Sequence, residues 1–596
     1  MTMLAQLRQK MMQADVISFD FFDTLFVRPV VHAEDIFKMV GQRLDIPDFT
    51  QRRRAAQKRA FEVMSEQKRR EITFAGIYAC SPDLPATAHA MEWEMEQDLT
   101  LPNPEMTALF REAIAQGKQV VITSDMYFQA PFFTELLRRH DLPCVPLYIS
   151  SDRNATKRDT GALFEILCRD LNTPPHTVLH IGDNLVADVE RAREKGLQAF
   201  HYREARLPAR DKDFSPATSL ARALVRVHQE QVRAGSAHEL GFMVGGPAAV
   251  GFLDWIIAQA RADRVEHILF VSRDGYVLHQ LLEQRRASGA AGLPASSYLL
   301  GSRVAFSLAA MSENSFPDFM EFLVSGAGGL SPDEIFARIG VAAPAAEILA
   351  DIGFPAGSVI PDRVPETIRA LVSAWQREIL KVAYRTRRGL LRHLLQHDLH
   401  AGQKVAFVDI GWNGTTQEAF EAAIRELLPL DVRGYYFCLT DQRMCVKRAR
   451  SMSMSALINA RNTPPDLLHA IYDNRVAGEF FFSAPHDPVI SYQDSTGAVM
   501  PVLDPGRGPT DNLLELNAEV LRGIVDFADR FEAQRNALAL PADPSGMARV
   551  LVNFMADGRW ASHPLLQTIR NFDSWASSRN RDMWMKDYAC STYAMP

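Results

Sequence analysis

The chain has 596 residues, which suggests roughly three or four domain equivalents, or two if they are large α/β units. Hydrophobic residues make up 47% of it, so it can build full cores and is not a disordered chain. Its net charge of −7 argues against a nucleic-acid-binding protein with a dominant basic face.

Cysteine usage and hydropathy bear on the compartment. The six cysteines are scattered without a C-x-x-C pair, which is typical of a reducing compartment and predicts neither a zinc site nor a disulfide framework. The N-terminus lacks the long apolar core of a secretory signal, and the apolar stretch 241–253 is too short to span a bilayer. We therefore expect no transmembrane segment and a cytoplasmic location, with peripheral attachment to the inner face of the membrane left open.

Over the first 205 residues, short apolar strands alternate with helical segments, which predicts a parallel doubly wound sheet. The strands are expected at 16–19, 119–122 and 177–181. Polar residues follow each strand, and a lysine precedes a helix: Asp20 and Asp23, Ser124, Lys157, and Asp183 with Asp188. Ligands bind beyond the carboxyl ends of the strands in such sheets, so these side chains should converge.

The chemistry of this set suits a phosphate ester. Two or three carboxylates form a hard-oxygen site for Mg²⁺, and a serine and a lysine can hold phosphate oxygens. The ordered set resembles the haloacid dehalogenase superfamily, mostly phosphatases, over residues 14–205. The resemblance implies Asp20 as the nucleophile that forms an aspartyl-phosphate, with Ser124 and Lys157 holding the phosphate. It also implies a Mg²⁺ site made by Asp20, the Phe22 carbonyl, Asp183 and Asp188.

One position departs from that family's pattern. Its phosphatases usually carry a second aspartate two residues after the nucleophile as general acid and base, where this chain has Phe22. Because phenylalanine cannot transfer a proton, three alternatives stay open. Asp23 takes over through an altered turn, water protonates the leaving group, or turnover is lost. By the same resemblance the helical insert at about 30–115 is a cap, and its basic run 51–70 predicts a solvated helix face.

Residues 206–237 are charged and polar and are predicted to form a linker after a first domain at 1–205. A second α/β domain is expected over 238–460, with strands at 267–271, 298–300, 405–408 and 434–439 and a helical insert at about 305–400. Residues 461–596 are predicted to be mainly helical, for packing or for the acceptor. Within them, 469–492 is expected to be partly strand, with Glu479 and His486 as candidates for the acceptor side.

The stretch KVAFVDIGWNGTTQEAF at 404–420 organises the second domain. An apolar strand ends at Asp409, a small-residue loop spans 411–416, and a helix is predicted to open at Gln417. Helix N-termini bind phosphate, glycines let the backbone approach it, and an aspartate accepts hydrogen bonds from sugar hydroxyls. Most such loops are ordinary turns, which is the structural alternative.

Two arginines, Arg273 and Arg303, follow other strands of this domain and suit forked contact with phosphate oxygens. Two anionic groups around one sugar describe 5-phosphoribosyl-1-pyrophosphate better than a single phosphate. The structural alternatives are a surface ion pair for Arg303 and a packing role for Trp412.

A second resemblance lies in these residues. VDIGWNGTT resembles the phosphoribosyl-pyrophosphate loop of type I phosphoribosyltransferases, and SRDG at 272–275 is similar to their pyrophosphate loop. The likeness implies Asp409 on the ribose hydroxyls and a 5-phosphate cradle formed by Gly411, Asn413, Gly414, Thr415 and Thr416. It implies that Arg273, Asp274, Gly275 and Arg303 face pyrophosphate and its Mg²⁺, with Asp274 and Asp409 as the catalytic acids. The usual pair of acids is reduced to Asp409-Ile410, so the acceptor need not be a base.

Together the halves resemble the bifunctional ribofuranosyltransferases of bacterial capsule and O-antigen assembly. That implies transfer of ribofuranose 5-phosphate from phosphoribosyl pyrophosphate to a glycan acceptor, lipid-linked or free, followed by removal of the 5-phosphate. It implies Mg²⁺ as cofactor and no nucleic-acid partner. Two other hypotheses stay open: a Mg-dependent phosphosugar or nucleotide phosphatase whose second domain only binds, and a non-catalytic phosphoribosyl sensor or scaffold.

Overall fold

The computed structural model describes residues 3–203, 214–228, 231–495, 498–504, 511–569 and 584–589. It divides into two units, one of Met1–Arg233 with Arg530–Asp543 and the other of Ala234–Asp529 with Pro544–Pro596. Each unit contains a five-stranded parallel sheet between helices. The predicted α/β class, two doubly wound Rossmann-like parallel-sheet domains with helical insertions, is confirmed.

The first unit begins with a helix and ends its main stretch with another. Its elements in chain order are α1 Met3–Gln13, β1 Val16–Phe19, β2 Phe26–Val27, α2 Asp35–Leu44, α3 Phe49–Glu66, α4 Phe74–Ala79, α5 Ala86–Leu99, β3 Leu101–Pro102, α6 Pro104–Ala115, β4 Gln119–Ser124, α7 Ala130–Arg139, β5 Leu147–Ile149, α8 Ser150–Arg153, α9 Ala162–Asp170, β6 Val178–Gly182, a π-helical turn Leu185–Glu190, α10 Arg191–Glu194, β7 Gln198–His201 and α11 Pro216–Ala223. Strands β5 and β7 were not expected from the sequence, because each is short and borders loops.

The first sheet has the strand order β5-β4-β1-β6-β7, with all neighbours parallel. All four residues of β1 are buried, as expected for a central strand with helices on both faces. The reversal of strand order at β1 leaves a crevice beyond its carboxyl end, where ligands bind in such sheets. Asp20 follows β1 directly, so the fold brings the predicted nucleophile to that crevice.

The predicted linker 206–237 requires a correction, since its described part contains a buried helix. Every residue of α11 except Arg222 is buried. The Ser219 hydroxyl donates to the Asp35 carboxylate at 2.6 Å and accepts the Val31 backbone N–H at 2.9 Å. Polar residues suggested a linker, but here they serve as hydrogen-bonding anchors, and the division between units falls at residue 233.

The predicted solvated face of α3 also needs one correction. Arg53 is fully buried and forms a forked pair with Glu92, with both N–O distances at 2.8 Å. Its guanidinium lies 4.7 Å from the centre of the Phe37 ring, and Tyr78 donates to the same Glu92 carboxylate at 2.6 Å. Arg53 therefore joins α3 to α5 through a buried ion pair. Most other residues of the basic run are exposed, as predicted.

The second unit contains the larger set of helices. Its elements in chain order are α12 Ala237–Leu240, a π-helical turn Gly241–Gly245, α13 Gly246–Asp263, β8 His267–Val271, α14 Tyr276–Ala287, β9 Ala295–Leu299, α15 Arg303–Ala310, α16 Met320–Val324, α17 Pro332–Ile339, α18 Ala346–Asp351, α19 Glu366–Ala374, α20 Gln376–Leu395, β10 Lys404–Trp412, α21 Thr415–Ile424, β11 Asp431–Leu439, α22 Arg443–Arg448, β12 Ser453–Ile458, α23 Pro465–Asp473, α24 Arg475–Phe482, β13 Val489–Ser495, β14 Ala498–Leu503, α25 Asp511–Ala537 and α26 Pro544–Ala556. From Arg530 onward, α25 is assigned to the first unit.

The second sheet has the order β12-β11-β10-β8-β9, again with parallel neighbours. The prediction for the stretch after Asp409 was wrong in its boundaries. Gly411 and Trp412 pair with β11, so the strand continues past Asp409, and α21 already begins at Thr415. The loop is thus reduced to Asn413 and Gly414. Backbone pairing with β11 extends the strand over residues whose side chains do not show a strand pattern.

The stretch 469–492 was predicted to be partly strand, but most of it forms α23 and α24, and only its last residues enter β13. The aromatic residues that suggested a strand form the buried side of α24, including Phe480, Phe481 and Phe482. The hairpin β13–β14 adds strand to a region expected to be mainly helical. The part of that region at 570–583 and 590–596 lies outside the described residues.

The inserted helices α16–α20 share a core of their own, built from residues such as Ile335, Phe336, Ile368 and Ile379. Helix α17 starts with a capping box, in which Ser331 and Glu334 bond each other's backbone N–H. Each fully buried aliphatic or aromatic side chain contributes about 1.5–3 kcal/mol. The insert is therefore a packed body with defined ends.

One helical run of the described chain, Ala237–Asp263, is long and apolar enough to cross a membrane by length and composition, and 78% of its apolar window is buried inside the protein. The sequence placed the apolar stretch at 241–253. The run is longer because α12, the π-helical turn and α13 follow one another without a break.

Candidate functional sites

The carboxyl ends of β1, β4 and β6 meet around Lys157 in the first unit. The Lys157 ammonium donates to Asp20 Oδ1 at 2.7 Å and to Asp188 Oδ1 at 2.6 Å. A third bond, to the Thr123 carbonyl at 3.0 Å, comes from the strand that ends in Ser124. Lys157 is 2% exposed and Asp20 7%, so charges of opposite sign compensate each other inside the protein.

The same Asp188 oxygen is also bound by a chain of polar groups that the sequence did not single out. A carboxylate only accepts hydrogen bonds, so His180 Nε2 donates to Asp188 Oδ1 at 3.1 Å. His180 Nδ1 then accepts from the Ser18 hydroxyl at 2.9 Å, and Ser18 lies 2.8 Å from the Thr123 hydroxyl. A histidine and a serine inside fully buried strands were the available signals, since buried polar groups need partners.

Asp125 is a second residue whose role the sequence did not reveal. Its carboxylate accepts the backbone N–H of Lys157 at 2.8 Å and that of Arg158 at 2.8 Å. It therefore holds the turn that carries Lys157, and fixes where the ammonium lies. Ser124, which precedes it, is buried at the end of β4.

The protonation of this site follows from burial and charge. Burial raises the pKa of Asp20 far above its usual range, which the Lys157 charge opposes. Burial and the nearby Asp23 and Asp188 charges raise the pKa of Asp183 to about 7. For Asp188 burial acts in the same direction, but Lys157 and the His180 hydrogen bond outweigh it and lower its pKa. Asp188 is thus the most firmly ionised of these carboxylates.

The donor set fits a hard divalent cation. One carboxylate oxygen from each of Asp20, Asp183 and Asp188 lies within 4.8 Å of the others. Oxygen ligands at this density are those that Mg²⁺ takes in proteins. The raised pKa of Asp183 reflects the same crowding of negative charge, which a bound cation would relieve.

The structure places the Phe22 side chain in an aromatic cluster. It is 8% exposed and packs edge-on against Phe21 and Phe133. The next residue, Asp23, has φ 56° and a carboxylate 33% exposed, with Arg226 Nη1 at 3.4 Å. The Asp23 charge raises the pKa of Asp183, so Asp23 lies near the acidic residues of the site. Its carboxyl group can transfer a proton, which the Phe22 side chain cannot.

In the second unit the strand ends surround a cavity of about 440 Å³. Many of the predicted site residues line it, namely Arg273, Asp274, Arg303, Asp409, Gly411, Asn413, Thr415 and Thr416. Ser272 and Trp412, which belong to the two predicted loops, also line it, as do residues that the sequence did not place there: Ser302, Tyr472, Arg475, Asp504 and Tyr588. The acceptor candidate Glu479 lines the cavity as well.

Two predicted glycines are not among the lining residues. A Cβ on Gly275 would lie 2.6 Å from the Phe270 carbonyl carbon, so Gly275 permits a close turn between β8 and α14. A Cβ on Gly414 would lie 2.4 Å from Met454 Cε, and Gly414 has φ 71° as the cap of α21. These close contacts explain why both positions are glycine, and their role in substrate binding stays a prediction.

His486, the other acceptor candidate, is not a lining residue either. Its Nε2 lies 2.6 Å from the Tyr298 hydroxyl, and its Nδ1 lies 2.9 Å from the Asp487 carbonyl. The ring also packs edge-on against Tyr276. Both ring nitrogens are therefore taken up by hydrogen bonds behind the cavity wall.

Asp274 and Asp409 form a hydrogen-bonded carboxyl pair in the cavity. Burial raises the pKa of Asp409 to about 6, which hydrogen bonds from Asp274, Ile410 N and Thr416 oppose. Burial and the Asp409 charge raise the pKa of Asp274, so Asp274 carries the shared proton. The pair shares this proton in its internal hydrogen bond and lines the cavity beside Arg273 and the N-terminus of α21.

The phosphate-loop residues are fixed by their neighbours. The Asn413 side chain accepts from the Thr440 hydroxyl at 2.6 Å, and its backbone carbonyl accepts from Arg448 at 3.2 Å. Ser302 caps α15 through Ala305 N, which sets Arg303 at the first turn of that helix. The cavity therefore brings two arginines and two helix N-termini around the acid pair, an arrangement suited to anions on a polyhydroxy ligand.

Comparisons with known proteins find neighbours among solved structures. No family model matches the chain, and no curated protein matches it. Similar solved structures include an L-2-haloacid dehalogenase (17% identity, 34% of this chain and 90% of that chain, TM-score 0.27). They include the HAD-hydrolase YfnB from Bacillus subtilis bound to magnesium (16%, 31% and 87%, TM-score 0.25) and a HAD phosphatase from Thermococcus onnurineus (16%, 34% and 89%, TM-score 0.24). The chemistry of both sites is therefore argued from their own residues.

Proposed function

We propose that this protein is a bifunctional enzyme of bacterial capsule or O-antigen polysaccharide biosynthesis. The second unit transfers ribofuranose 5-phosphate from phosphoribosyl pyrophosphate to a glycan acceptor, and the first unit then removes the 5-phosphate. The observation that carries the proposal is the 440 Å³ cavity, where Arg273, Arg303 and the N-terminus of α21 surround the Asp274–Asp409 pair. Two groups of anion-binding residues around hydroxyl-binding acids match a sugar with phosphate at both ends.

In the transfer step, Arg273 and Arg303 hold the pyrophosphate as its bond to C1 breaks, and so stabilise the charge that develops on it. Thr415 and Thr416 at the start of α21 hold the 5-phosphate. Asp409 accepts a hydrogen bond from a ribose hydroxyl and orients the ring. The acceptor hydroxyl forms the new bond to C1 and loses its proton.

In the phosphatase step, Asp20 attacks phosphorus, and the sugar 5-oxygen leaves with a proton from Asp23. Water then attacks the aspartyl-phosphate and releases inorganic phosphate. Lys157 neutralises oxygens of the phosphate and of Asp20. Mg²⁺ held by Asp20, Asp183, Asp188 and the Phe22 carbonyl would lower the repulsion between nucleophile and phosphate. Asp23 is assigned the proton transfer because it lies by the acidic set with a partly exposed carboxylate, whereas Phe22 is packed among rings.

The proposal also gives a cytoplasmic location, since phosphoribosyl pyrophosphate is a donor made and used inside the cell, with the acceptor free or lipid-linked at the inner face of the membrane. Mg²⁺ would serve both units.

Mass spectrometry of the product separates the two activities. With phosphoribosyl pyrophosphate, Mg²⁺ and a glycan acceptor, wild type should yield a product heavier by one pentose. Asp20→Asn should accumulate the same product with an extra phosphate, and Asp409→Asn should yield neither. Asp98→Asn, an exposed aspartate paired with Arg139, is the control and should behave as wild type. Equal loss of both activities in Asp20→Asn and Asp409→Asn would contradict two separable sites.

A further inference from the structure

One wall of the second-unit cavity is a helical face that carries a fixed carboxylate. Tyr472, Arg475, Val476 and Glu479 all line the cavity. Arg475, Val476 and Glu479 lie on one side of α24, as their helical spacing requires, and Tyr472 joins them from the end of α23. This wall is separate in sequence from the strand ends that carry the arginines and the acid pair, and it brings its own charged groups.

The Glu479 carboxylate accepts a hydrogen bond from the last residue of strand β10. Trp412 Nε1 donates to Glu479 Oε1 at 2.8 Å. Trp412 is the last residue of β10, three positions after Asp409, and it is 7% exposed. Its ring also meets Tyr472 edge-on, with centroids 6.4 Å apart, so the indole is packed between the strand and the helical wall. A carboxylate oriented by a buried indole keeps its direction when ligands exchange.

Glu479 lies close enough to the acid pair to interact electrostatically with Asp409. Its negative charge contributes to the raised pKa of Asp409. Asp274 and Asp409, however, bond each other, and Asp409 also accepts from Ile410 N and Thr416. The Asp274 and Asp409 carboxyls thus make hydrogen bonds at the strand ends of the cavity. Glu479 lines the cavity from a different element, α24.

We propose that Glu479 is the general base of the transfer, and that the α23–α24 wall is the subsite for the acceptor sugar. The inference rests on the proposed function and names the residue that activates the acceptor. The C1–oxygen bond to pyrophosphate breaks with its electron pair going to pyrophosphate, and a lone pair of the acceptor hydroxyl forms the new C1–oxygen bond. The hydroxyl proton passes to the Glu479 carboxylate, and from there to water when the product leaves.

The test variant is Glu479→Gln, which keeps an oxygen that can accept from Trp412 Nε1 and removes the negative charge together with the basicity. The probes are phosphoribosyl pyrophosphate with Mg²⁺, and a panel of p-nitrophenyl glycosides of common hexoses and N-acetylhexosamines as acceptors. We expect kcat for pyrophosphate release to fall about 10²–10⁴-fold. The Kd of phosphoribosyl pyrophosphate, measured by calorimetry, should stay within about threefold, since the donor contacts are unchanged.

A second variant distinguishes a base from a structural residue. Glu479→Ala should lose transfer to a similar degree, and added formate should restore part of it, because a small carboxylate can enter the vacated space and accept the proton. Glu426→Gln is the matched control, because Glu426 is an exposed glutamate of the second unit that does not line the cavity, and its transfer rate should stay within a few fold.

Three results would overturn the assignment of Glu479: near-normal kcat in Glu479→Gln, loss of donor binding equal to the loss of rate, or a comparable rate loss in Glu426→Gln. Failure of the proposed function has a different signature. In that case wild type itself releases no pyrophosphate with the donor and any acceptor of the panel, and both proposals fall together.

Discussion

Lys157 lies between two carboxylates of the first unit and is 2% exposed. The Asp20 and Asp188 charges raise its pKa against the effect of burial, which lowers it. A buried ammonium with two carboxylate partners is costly to remove, because the carboxylates are left facing each other without compensation.

We therefore expect Lys157→Met to lower the free energy of unfolding by about 3–5 kcal/mol and to abolish phosphate release. Urea unfolding at neutral pH measures the first effect, and phosphate release from the phosphorylated transfer product measures the second. Arg138→Ala, which removes an exposed pair with Glu135, is the control and should leave the urea midpoint unchanged. A Lys157→Met protein as stable as wild type would show that the carboxylates are solvated or protonated in the fold.

Arg28 and Glu96 form a buried ion pair beside Phe22, the residue that stands where the related phosphatases usually have an aspartate. Arg28 Nη1 lies 3.4 Å from Glu96 Oε2, and its guanidinium is 4.5 Å from the centre of the Phe22 ring. Burial raises the pKa of Glu96 to about 7, which the Arg28 charge opposes and the Glu92 charge reinforces. At pH values between 4.5, the pKa of Glu96 in the unfolded chain, and about 7, its pKa in the folded protein, Glu96 is protonated in the folded protein and ionised in the unfolded chain.

The pH dependence of stability follows with a definite sign. The stabilisation tied to Glu96 is fully present below pH 4.5 and is lost as the pH rises through about 7. Glu96→Gln lacks this loss, so the unfolding free energy of the variant minus that of wild type should rise by roughly 1–3 kcal/mol over this window.

Glu135→Gln provides the control, because Glu135 belongs to an exposed pair with Arg138 that contributes little to stability. Its stability relative to wild type should stay nearly constant over the same pH range. Urea titrations at several pH values measure both variants, and parallel curves for Glu96→Gln and wild type would contradict the raised pKa.

Several site residues could be predicted because their position at strand ends is enough to bring them together. Asp20, Lys157 and Asp188 meet as the strand pattern requires. His180 and Asp125 could not be assigned, since their roles depend on which buried atoms lie beside them. Nor could Trp412, whose hydrogen bond to Glu479 joins residues 67 positions apart in the chain.

At the scale of elements, the turn between β10 and α21 depends on one glycine. Gly414 has φ 71°, in the left-handed region, and a Cβ there would approach Met454 Cε to 2.4 Å. A side chain at this position therefore suffers both backbone strain and overlap with a packed methionine. The turn also fixes Thr415 and Thr416 at the first turn of α21.

Gly414→Ala should accordingly lower the unfolding free energy by about 2–5 kcal/mol, summing strain of about 1–2 with overpacking of about 1–3. Gly402→Ala is a matched control, since Gly402 has φ 79° but no atom within 4 Å of an added Cβ. It should lose only the strain, about 1–2 kcal/mol. Urea unfolding compares the two, and equal losses would show that Met454 moves aside freely.

Element boundaries were the least predictable part of the fold. Strand His267–Val271 agrees residue for residue with the sequence pattern, because apolar residues fill it and polar ones follow. The end of β10 and the helices α23 and α24 did not follow from local pattern. The first is set by pairing with β11, and in the second the aromatic residues are buried around most of the circumference of α24.

At the scale of the molecule, each unit holds one complete cluster of polar residues at the ends of its own sheet. The proposed activities should therefore be separable between two protein molecules as well as within one. Mixing Asp20→Asn with Asp409→Asn should restore the dephosphorylated pentosyl product, since one variant still transfers and the other still hydrolyses. Mass spectrometry of the mixture over time checks this, and persistence of the phosphorylated product would contradict independent function in trans.

The segment Arg530–Asp543 belongs to the first unit although it follows most of the second in the chain. Asp543 accepts hydrogen bonds from the hydroxyls of Ser215 and Thr218, the latter at 2.7 Å. At roughly 5–20 residues per second of synthesis, the roughly 300 residues between Arg233 and Arg530 delay these partners of α11 by roughly 15–60 s. During translation the first unit therefore waits for most of the second before it can complete its contacts.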